Sequence, residues 1–516
     1  MLIDPKNKAF KAALFLIEAT NFNVFLTGKA GTGKTTFLRY IRKYVKKKMA
    51  IVAPTGVAAV NAGGMTIHSL FHIPPSVYPA NDPRLRSRAE PDRPGVSIRS
   101  HFKMSQQKRK LFKELELLVI DEVSMVRCDL LDVIDRLLRT YGGDRYLPFG
   151  GKQVLFIGDP FQLPPVTPDD QWELLRHHYE SSYFFSALAW KAAQPKLLEL
   201  QKVYRQRDLS FVRVLNRIRS GEQSSADLAL LNKHWVPADF NYTQAGYIYL
   251  GVTNRDVDRR NKRELKALDT PSYTYLGLVT GDFKPSDMPT PPELVLKVGA
   301  QVMFVKNDIG EARRFFNGKI GKVIKLEEDR ITVDCSLQGS ETTDPIVVET
   351  VRWTKVRYEW NAEEREIDEI ETGSYEQFPL KLAWAITVHK SQGLTFEQVF
   401  ANLNGAFAAG QTYVALSRCT QLEGLKLATR LRHGDIKVDP VVKAFADDFA
   451  DDAEIEALLD RTAFLAHKEE VEEVLQTGDL TAAVPAFYAL QQAFPEFRQE
   501  MEVLEASILA AIKKLQ

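Results

Sequence analysis

At 516 residues the chain exceeds what one hydrophobic core serves, and 45% hydrophobic with 26% charged residues describes a globular protein of several domains. No run of 18 or more apolar residues occurs, the start MLIDPKNKAF lacks the order of a signal peptide, and Cys128, Cys335 and Cys419 stand far apart; a membrane span, a disulfide framework and a zinc knuckle are disfavoured and a cytoplasmic location is expected. The net charge of +1 hides an asymmetry: residues 441–516 carry 16 Asp/Glu against 6 Lys/Arg, and residues 1–440 carry a compensating excess of 11 positive charges, compatible with a polyanionic partner.

Short apolar runs alternate with amphipathic stretches along the chain. NVFLTG, MAIVAPT, LELLVIDE and KQVLFIGD predict buried parallel strands, and KTTFLRYIRKYVKKK predicts a helix with Phe37, Leu38, Ile41 and Val45 on one face. The pattern is α/β and doubly wound. A Pro- and Arg-rich segment at 73–110 interrupts it; Pro74, Pro75, Pro79, Pro83, Pro91 and Pro94 exclude a long helix and predict an insertion on the rim of the sheet. After residue 200 the α/β rhythm returns in GYIYLGVTNRDVDRRN, PLKLAWAITVHKSQG, QVFANL and GLKLAT. Between these, KVIKLEEDRITVDC and PIVVETVRWTKVRYEW are β-branched and alternating, which predicts a small antiparallel β-barrel at 319–379. The expected division is a first α/β domain at 1–200, a second at 201–318 and 380–440, the inserted barrel, and an acidic helical extension at 441–516.

The stretch FLTGKAGTGKTTFL contains G-x-x-x-x-G-K-T, from Gly28 to Thr35. Its glycines permit a tight strand-to-helix loop whose backbone N–H groups surround phosphate oxygens at the positive helix end. Gly28, Ala30, Gly31, Thr32, Gly33, Lys34, Thr35 and Thr36 are the expected nucleotide-binding residues, with Lys34 reaching the outer phosphates and the Thr35 hydroxyl on magnesium. LLVIDEVSM supplies the acidic partner: a buried strand delivers Asp121 to its end to hold the metal, and Glu122 follows, placed to deprotonate the attacking water. In VLFIGDPFQLPPV the neutral amide of Gln162 is suited to sensing the terminal phosphate.

The ordered set GKAGTGKTT, APTGVAAVNAGGMTIHSLF, VIDEVSM, IGDPFQLPPV, VYRQ, TVHKSQGLTF and YVALSRCT, spanning residues 24 to about 428, resembles the petite-integration-frequency (PIF) family of superfamily 1 DNA helicases, in its RecD-like branch. The resemblance implies two RecA-like domains with ATP and magnesium in the cleft between them, moving 5′ to 3′ along single-stranded DNA as a monomeric motor that opens forked or structured DNA. It implies that Arg205 and Arg418 reach the phosphates from the second domain, where a guanidinium pairs bidentately with developing charge, and that Gly393 lies at the nucleotide. It places Thr55, Gly56, His68, Phe71, Asn317, Thr387, His389, Lys390 and Ser391 along the DNA.

By the same resemblance the insertion at 73–110, with Arg84, Arg86, Arg88, Arg93 and Arg99, is a wedge that splits the duplex, with Phe102 stacking on the last pair, and the barrel closes over the strand. Trp353, Tyr358 and Trp360 of the barrel either stack on bases or fill its core, and alternation favours the core. The chain departs from the family pattern upstream of the P-loop, where residues 1–27 contain no Gln to read adenine; Asn7 is the available amide. The acidic extension matches nothing in the pattern, and protein docking, autoinhibition and simple stabilisation all stand open for it. Two rival activities also remain: a translocase that strips proteins from single strands, and a nucleotide-switched DNA-binding scaffold.

Overall fold

The computed structural model describes residues 7–515 except 88–94, 205–207, 307, 309–313, 316, 337–343, 362, 364–365, 407 and 450–451. Six strands, β1 (Val24–Gly28), β2 (Met49–Ala53), β3 (Met65–Thr66), β4 (Leu117–Ile120), β5 (Gln153–Ile157) and β6 (Lys196–Leu200), form one all-parallel sheet in the order β3-β2-β4-β5-β1-β6. β1, β4 and β5 are buried at every position, as expected where helices cover both faces of a parallel sheet. The central neighbours β4, β5 and β1 run the same way, so their C-terminal ends, which carry Asp121, Asp159 and the P-loop, share one edge. The chain order reverses direction around β1, and that is where an open α/β sheet forms its crevice.

A second parallel sheet is built from β7 (Ile248–Gly251) and strands much later in the chain. Between them the chain turns antiparallel, with β8 (Ser272–Leu276), β9 (Leu278–Gly281), β10 (Glu293–Lys297), β11 (Gln301–Phe304), β12 (Ile320–Leu326), β13 (Ile331–Asp334), β14 (Pro345–Val348), β15 (Val351–Asn361), β16 (Glu366–Gln377) and β17 (Leu380–Leu382). These pair as β10-β8, β14-β13-β12-β11-β17 and β15-β16-β9. Antiparallel pairing therefore starts at Ser272, well before residue 319, because the alternating ELVLK and QVMF segments find partners across the insertion. The second parallel sheet is completed by β18 (Ala385–Thr387), β19 (Val399–Ala401) and β20 (Leu425–Leu427), in the order β18-β7-β19-β20.

The β15–β16 hairpin leans on the first lobe. Val356 packs against that lobe's apolar core, and Glu369 pairs with Arg42 at 2.8 Å. At the end of the chain, helices Asp452–Gln476, Leu480–Ala493 and Arg498–Leu515 enclose a small core of their own around Phe464, Phe487 and Leu504. Ile455 joins them to the first lobe beside the helix Lys8–Ala19. No helix among the described residues is long and apolar enough to cross a membrane.

The segment 73–110 departs from the rim insertion that its prolines suggest. Ile73, Tyr78, Leu85, Ile98, Phe102 and Met104 are all buried in the first lobe's core. Prolines forbid a long helix but not burial, and here they leave short turns that tuck apolar side chains against the sheet. The middle of the segment, with Arg88 and Arg93, lies outside the described residues.

Candidate functional site

The P-loop leaves β1 at Gly28. A Cβ there would lie 2.5 Å from Thr32 Oγ1 and 2.9 Å from the Leu200 carbonyl oxygen, so only glycine fits. Gly33, at φ 98°, caps the helix Lys34–Tyr44, so the loop amides converge on that helix's positive end. Lys34 Nζ turns back onto the carbonyls of Gly28 and Lys29, and Thr32 Oγ1 donates to the Lys29 carbonyl at 2.9 Å. Thr35 and Thr36 are exposed on the first helical turn, while Ala30 is buried.

Asp121 and Glu122 stand at the end of β4, and Glu122 holds the left-handed conformation at φ 51°. That backbone is uncommon for a residue with a side chain and here it turns the carboxylate out of the strand direction. Burial, reinforced by the neighbouring Glu122 charge, raises the Asp121 carboxyl to about 7. Burial likewise raises that of Glu122, against the pull of the Lys34 charge, a hydrogen bond from Gln392 and the Arg418 charge. Lys34 thus acts on both carboxylates, and the opposing lobe reaches one of them: Gln392 Nε2 donates to Glu122 Oε2 at 2.9 Å. Gln392 Oε1 is buried with no hydrogen-bond partner among the described residues.

The third strand end is organised by an arginine that sequence reasoning missed. Asp159 accepts from Arg219 Nε at 3.2 Å and Nη2 at 3.1 Å, and from Gln162 Nε2 at 3.1 Å. Arg219 also pairs with Glu199 at 3.0 Å and lies 4.3 Å above the Phe161 ring. It projects from the helix Leu209–Ser220, so the Gln162 loop is tied to the first helix beyond the linker between the lobes. Tyr413 is a second omission: its hydroxyl accepts from the Ala30 N–H at 3.0 Å. Gly410 is a third, since a Cβ there would lie 2.4 Å from the Gln162 carbonyl oxygen. Tyr413 and Gln392 stood inside quoted motifs, whereas only proximity in space marks Arg219.

Arg418 is buried, donating to the carbonyls of Val414 at 2.9 Å and Leu394 at 3.2 Å and to Ser417 Oγ at 2.9 Å. Arg205 lies outside the described residues; the adjacent Tyr204 donates its N–H to the Gly31 carbonyl at 2.8 Å. Gly393 is exposed at φ 77°.

Several DNA-contact expectations need correction. Phe71 is fully buried and stacks on Phe112 at 5.2 Å; Phe102, 1% exposed, packs on Tyr78. Neither ring face is open to a base. Ser391 is fully buried and donates to the Val388 carbonyl at 2.7 Å, and Thr387 is buried as the acceptor of the Lys390 N–H; both shape a turn. Gly56 is covered by Asp287, 2.5 Å from where its Cβ would be. Asn7 is buried, and its side-chain oxygen caps the helix Lys8–Ala19, accepting from the Phe10 N–H at 3.1 Å. The adenine-reading role is thereby withdrawn in favour of a helix cap. Trp353 stacks on Tyr375 inside the second lobe's core, as alternation favoured; the side chains of Tyr358 and Trp360 lie outside the described part.

The remaining expectations stay accessible. Thr55 and Lys390 are exposed, and His68, His389 and Asn317 are half-buried. His68 Nδ1 meets the Ile73 carbonyl at 2.8 Å, and burial lowers the His389 pKa.

Two parallel sheets of RecA type, a P-loop and carboxylate pair on one, and Gln392 and Tyr413 bonding to them from the other define a two-lobed P-loop protein. A model of the PIF1-like helicase family matches residues 1–227. The chain is 32% identical over 444 residues to the mouse ATP-dependent DNA helicase PIF1, covering 82% of this chain and 60% of that protein. It is 32% identical to ATP-dependent DNA helicase Pif1 of a Psychrobacter strain, with 89% and 72% covered. The unliganded Pif1 structure from Bacteroides superposes with a TM-score of 0.76 at 38% identity, covering 87% of this chain and 97% of that one. The Bacteroides complex with ADP-AlF4 gives the same values, and the ssDNA-bound form gives 0.57 at the same identity and coverage. The chain belongs to the PIF1-like helicase family.

Proposed function

We propose that this protein is an ATP-dependent DNA helicase that moves 5′ to 3′ on single-stranded DNA and opens duplex or structured DNA. The carrying observation is the bond from Gln392 to Glu122, which joins a segment beside the exposed Lys390 to the hydrolytic carboxylate. DNA engagement on one lobe and hydrolysis on the other thereby share one contact. The family's ADP-AlF4 and ssDNA complexes support the same two ligands.

Lys34 neutralises the outer phosphates and the loop amides orient them. Glu122 accepts the proton of the attacking water, and Arg418, with Arg205 by family analogy, stabilises the charge that develops on the transferred group. Thr35 and Asp121 are the residues that would hold magnesium; a carboxyl raised by burial and then by its acidic neighbour suits a cation. When bound, that ion screens phosphate oxygens. Gln162, fixed through Asp159 and Arg219, distinguishes the states before and after phosphate loss, and Gly410 passes the difference to the second lobe. A two-state element of this kind is what a stepping motor requires.

We assign the first lobe to residues 1–200, the second to 201–271 and 383–440, the strand-closing role to the antiparallel sheets inserted between those two parts, and duplex splitting to the 73–110 segment. A cytoplasmic, monomeric motor fits this reading, and the acidic three-helix extension suits protein docking. Strand displacement from 5′-tailed and 3′-tailed duplexes with ATP and magnesium tests the proposal; unwinding confined to the 3′ tail overturns the polarity, and none from either tail overturns the helicase activity.

A further inference from the structure

The helix Asn254–Lys266 turns one face to the second parallel sheet. On that face Val257 is buried, Asn261 Nδ2 donates to the Ala385 carbonyl at 2.8 Å, and the Ala385 N–H donates back to Asn261 Oδ1 at 2.9 Å. The other face is a stripe of cations at helical spacing: Arg255, Arg259, Lys262, Arg263 and Lys266 are all exposed. With Asp258 they line an open groove of about 630 Å³ that runs ~16 Å along the helix at 1.5 Å per residue. Arg259 and Arg263 have carboxylate partners in Asp256 and Glu264, whereas Arg255, Lys262 and Lys266 form no ion pair among the described residues. Like charges three and four residues apart repel, so this face raises the energy of the free chain.

The acidic extension holds the opposite arrangement. Glu469, Glu470 and Glu473 of the helix Asp452–Gln476 are exposed and form no ion pair among the described residues, and the last turn of that helix contains no basic residue. These carboxylates repel one another and face the negative end of their helix. Within one chain the two faces stay apart: Ile455 and the Lys8–Glu456 pair fix the extension to the first lobe, while the stripe lies on the second.

We propose that the stripe from Arg255 to Lys266 docks the acidic extension of a second copy of this chain, with Glu469, Glu470 and Glu473 against the unpaired cations. The occupant follows from charge: residues 441–516 carry 16 Asp/Glu against 6 Lys/Arg, and both faces lose self-repulsion when they meet. Because the two faces differ, the contact is head-to-tail, and each added copy leaves one face of each kind free. Each motor remains a single chain, and the contact joins complete motors. This rests on the docking role given to the extension and names its partner.

Sedimentation velocity of the full chain without DNA tests the pairing over a series of KCl concentrations up to about 1 M, where the screening length falls to ~3 Å. The parent is expected to associate at low salt and to sediment as one chain at the highest. Two sets of charge reversals, Arg255→Glu with Lys262→Glu and Lys266→Glu, and Glu469→Lys with Glu470→Lys and Glu473→Lys, are each expected to weaken self-association roughly tenfold or more while ATP turnover stays at the parent rate. Mixed together, the two variants are expected to associate again, since the reversed stripe of one meets the reversed extension of the other. If either set melts below the parent, glutamines at the same positions replace it. A parent that sediments as one chain at every salt concentration overturns the pairing, and so does a mixture that stays apart. If only the extension reversals abolish association, the docking role stands and the stripe is not its partner; if neither set does, both fall. Stripe reversals that weaken oligonucleotide binding and leave self-association unchanged assign the groove to nucleic acid and overturn the proposal.

Discussion

Gln392 Nε2 donates to Glu122 Oε2 at 2.9 Å, so the carboxylate proposed as general base is held by the lobe opposite its own. A hydrogen bond to a charged group is worth ~1.5–3 kcal/mol. Gln392→Ala is therefore expected to lower kcat for DNA-stimulated ATP hydrolysis roughly tenfold or more, with a smaller change in KM. Steady-state ATPase assays decide it; a rise in KM at constant kcat would place Gln392 in ground-state binding instead.

Arg219 is the shared cation of Asp159 and Glu199, and all three side chains are almost wholly enclosed. Removing it in Arg219→Leu strands two buried carboxylates, at a cost of about 3–5 kcal/mol. Thermal melting should fall by roughly 10 °C, and Arg219→Lys, which cannot span both partners, should fall between the two. A Leu variant that melts with the parent would show that the pairs contribute nothing.

Gly410 has φ 76°, and a Cβ there would press on the carbonyl oxygens of Phe161 and Gln162 at 2.5 and 2.4 Å. Backbone on both sides cannot yield as a side chain would. Gly410→Ala is expected to displace the Gln162 loop and lower kcat on the order of a hundredfold. Parent-like turnover would remove this contact from the coupling path.

Phe102 packs in the first lobe's core, and the Tyr141 hydroxyl donates to its carbonyl at 3.0 Å. Phe102→Ala should cost about 3–5 kcal/mol of stability, while Phe102→Leu should melt near the parent and unwind at a comparable rate. If Phe102→Leu keeps its melting temperature and loses unwinding alone, the ring does stack on the duplex.

Asp132 is buried beneath the helix Leu188–Ala193, accepting from the Tyr179 hydroxyl and the Ala189 N–H, and burial raises its carboxyl to about 6. An unfolded Asp titrates near ~3.9. The protonated form therefore stabilises the fold fully below about pH 4, and this contribution is lost as pH rises through about 6. Asp132→Asn is expected to flatten the fall in stability between about pH 4 and 7 by roughly 2–3 kcal/mol relative to the parent. Urea denaturation across that range measures it, and parallel pH profiles for the two proteins would refute it.

The positions of the P-loop and of the acidic motifs at strand ends were legible because they are local. Gly28 to Thr35, Asp121 with Glu122, and Asp159 with Gln162 each follow a short apolar strand, and a buried parallel strand can only deliver such residues to its C-terminal end. The residues expected along the DNA were less legible: His68 and Phe71 stand three apart on one short helix, yet His68 is half-buried and Phe71 is core. Periodicity separates such positions only when the helix is long enough to define a face.

Sequence by itself determined the order of strands and turns and the family, and it placed the P-loop and the carboxylate pair at strand ends, since these depend on covalent neighbours and backbone preference. Tertiary structure alone decided which residues close the cleft. The partners Gln392 and Glu122 are 270 positions apart, Tyr413 and Ala30 are 383 apart, and Arg219 lies 60 from Asp159. No spacing rule reaches across such distances; those contacts exist because two sheets pack against one another. Burial of Phe102 in the first lobe's core is likewise absent from any sequence pattern.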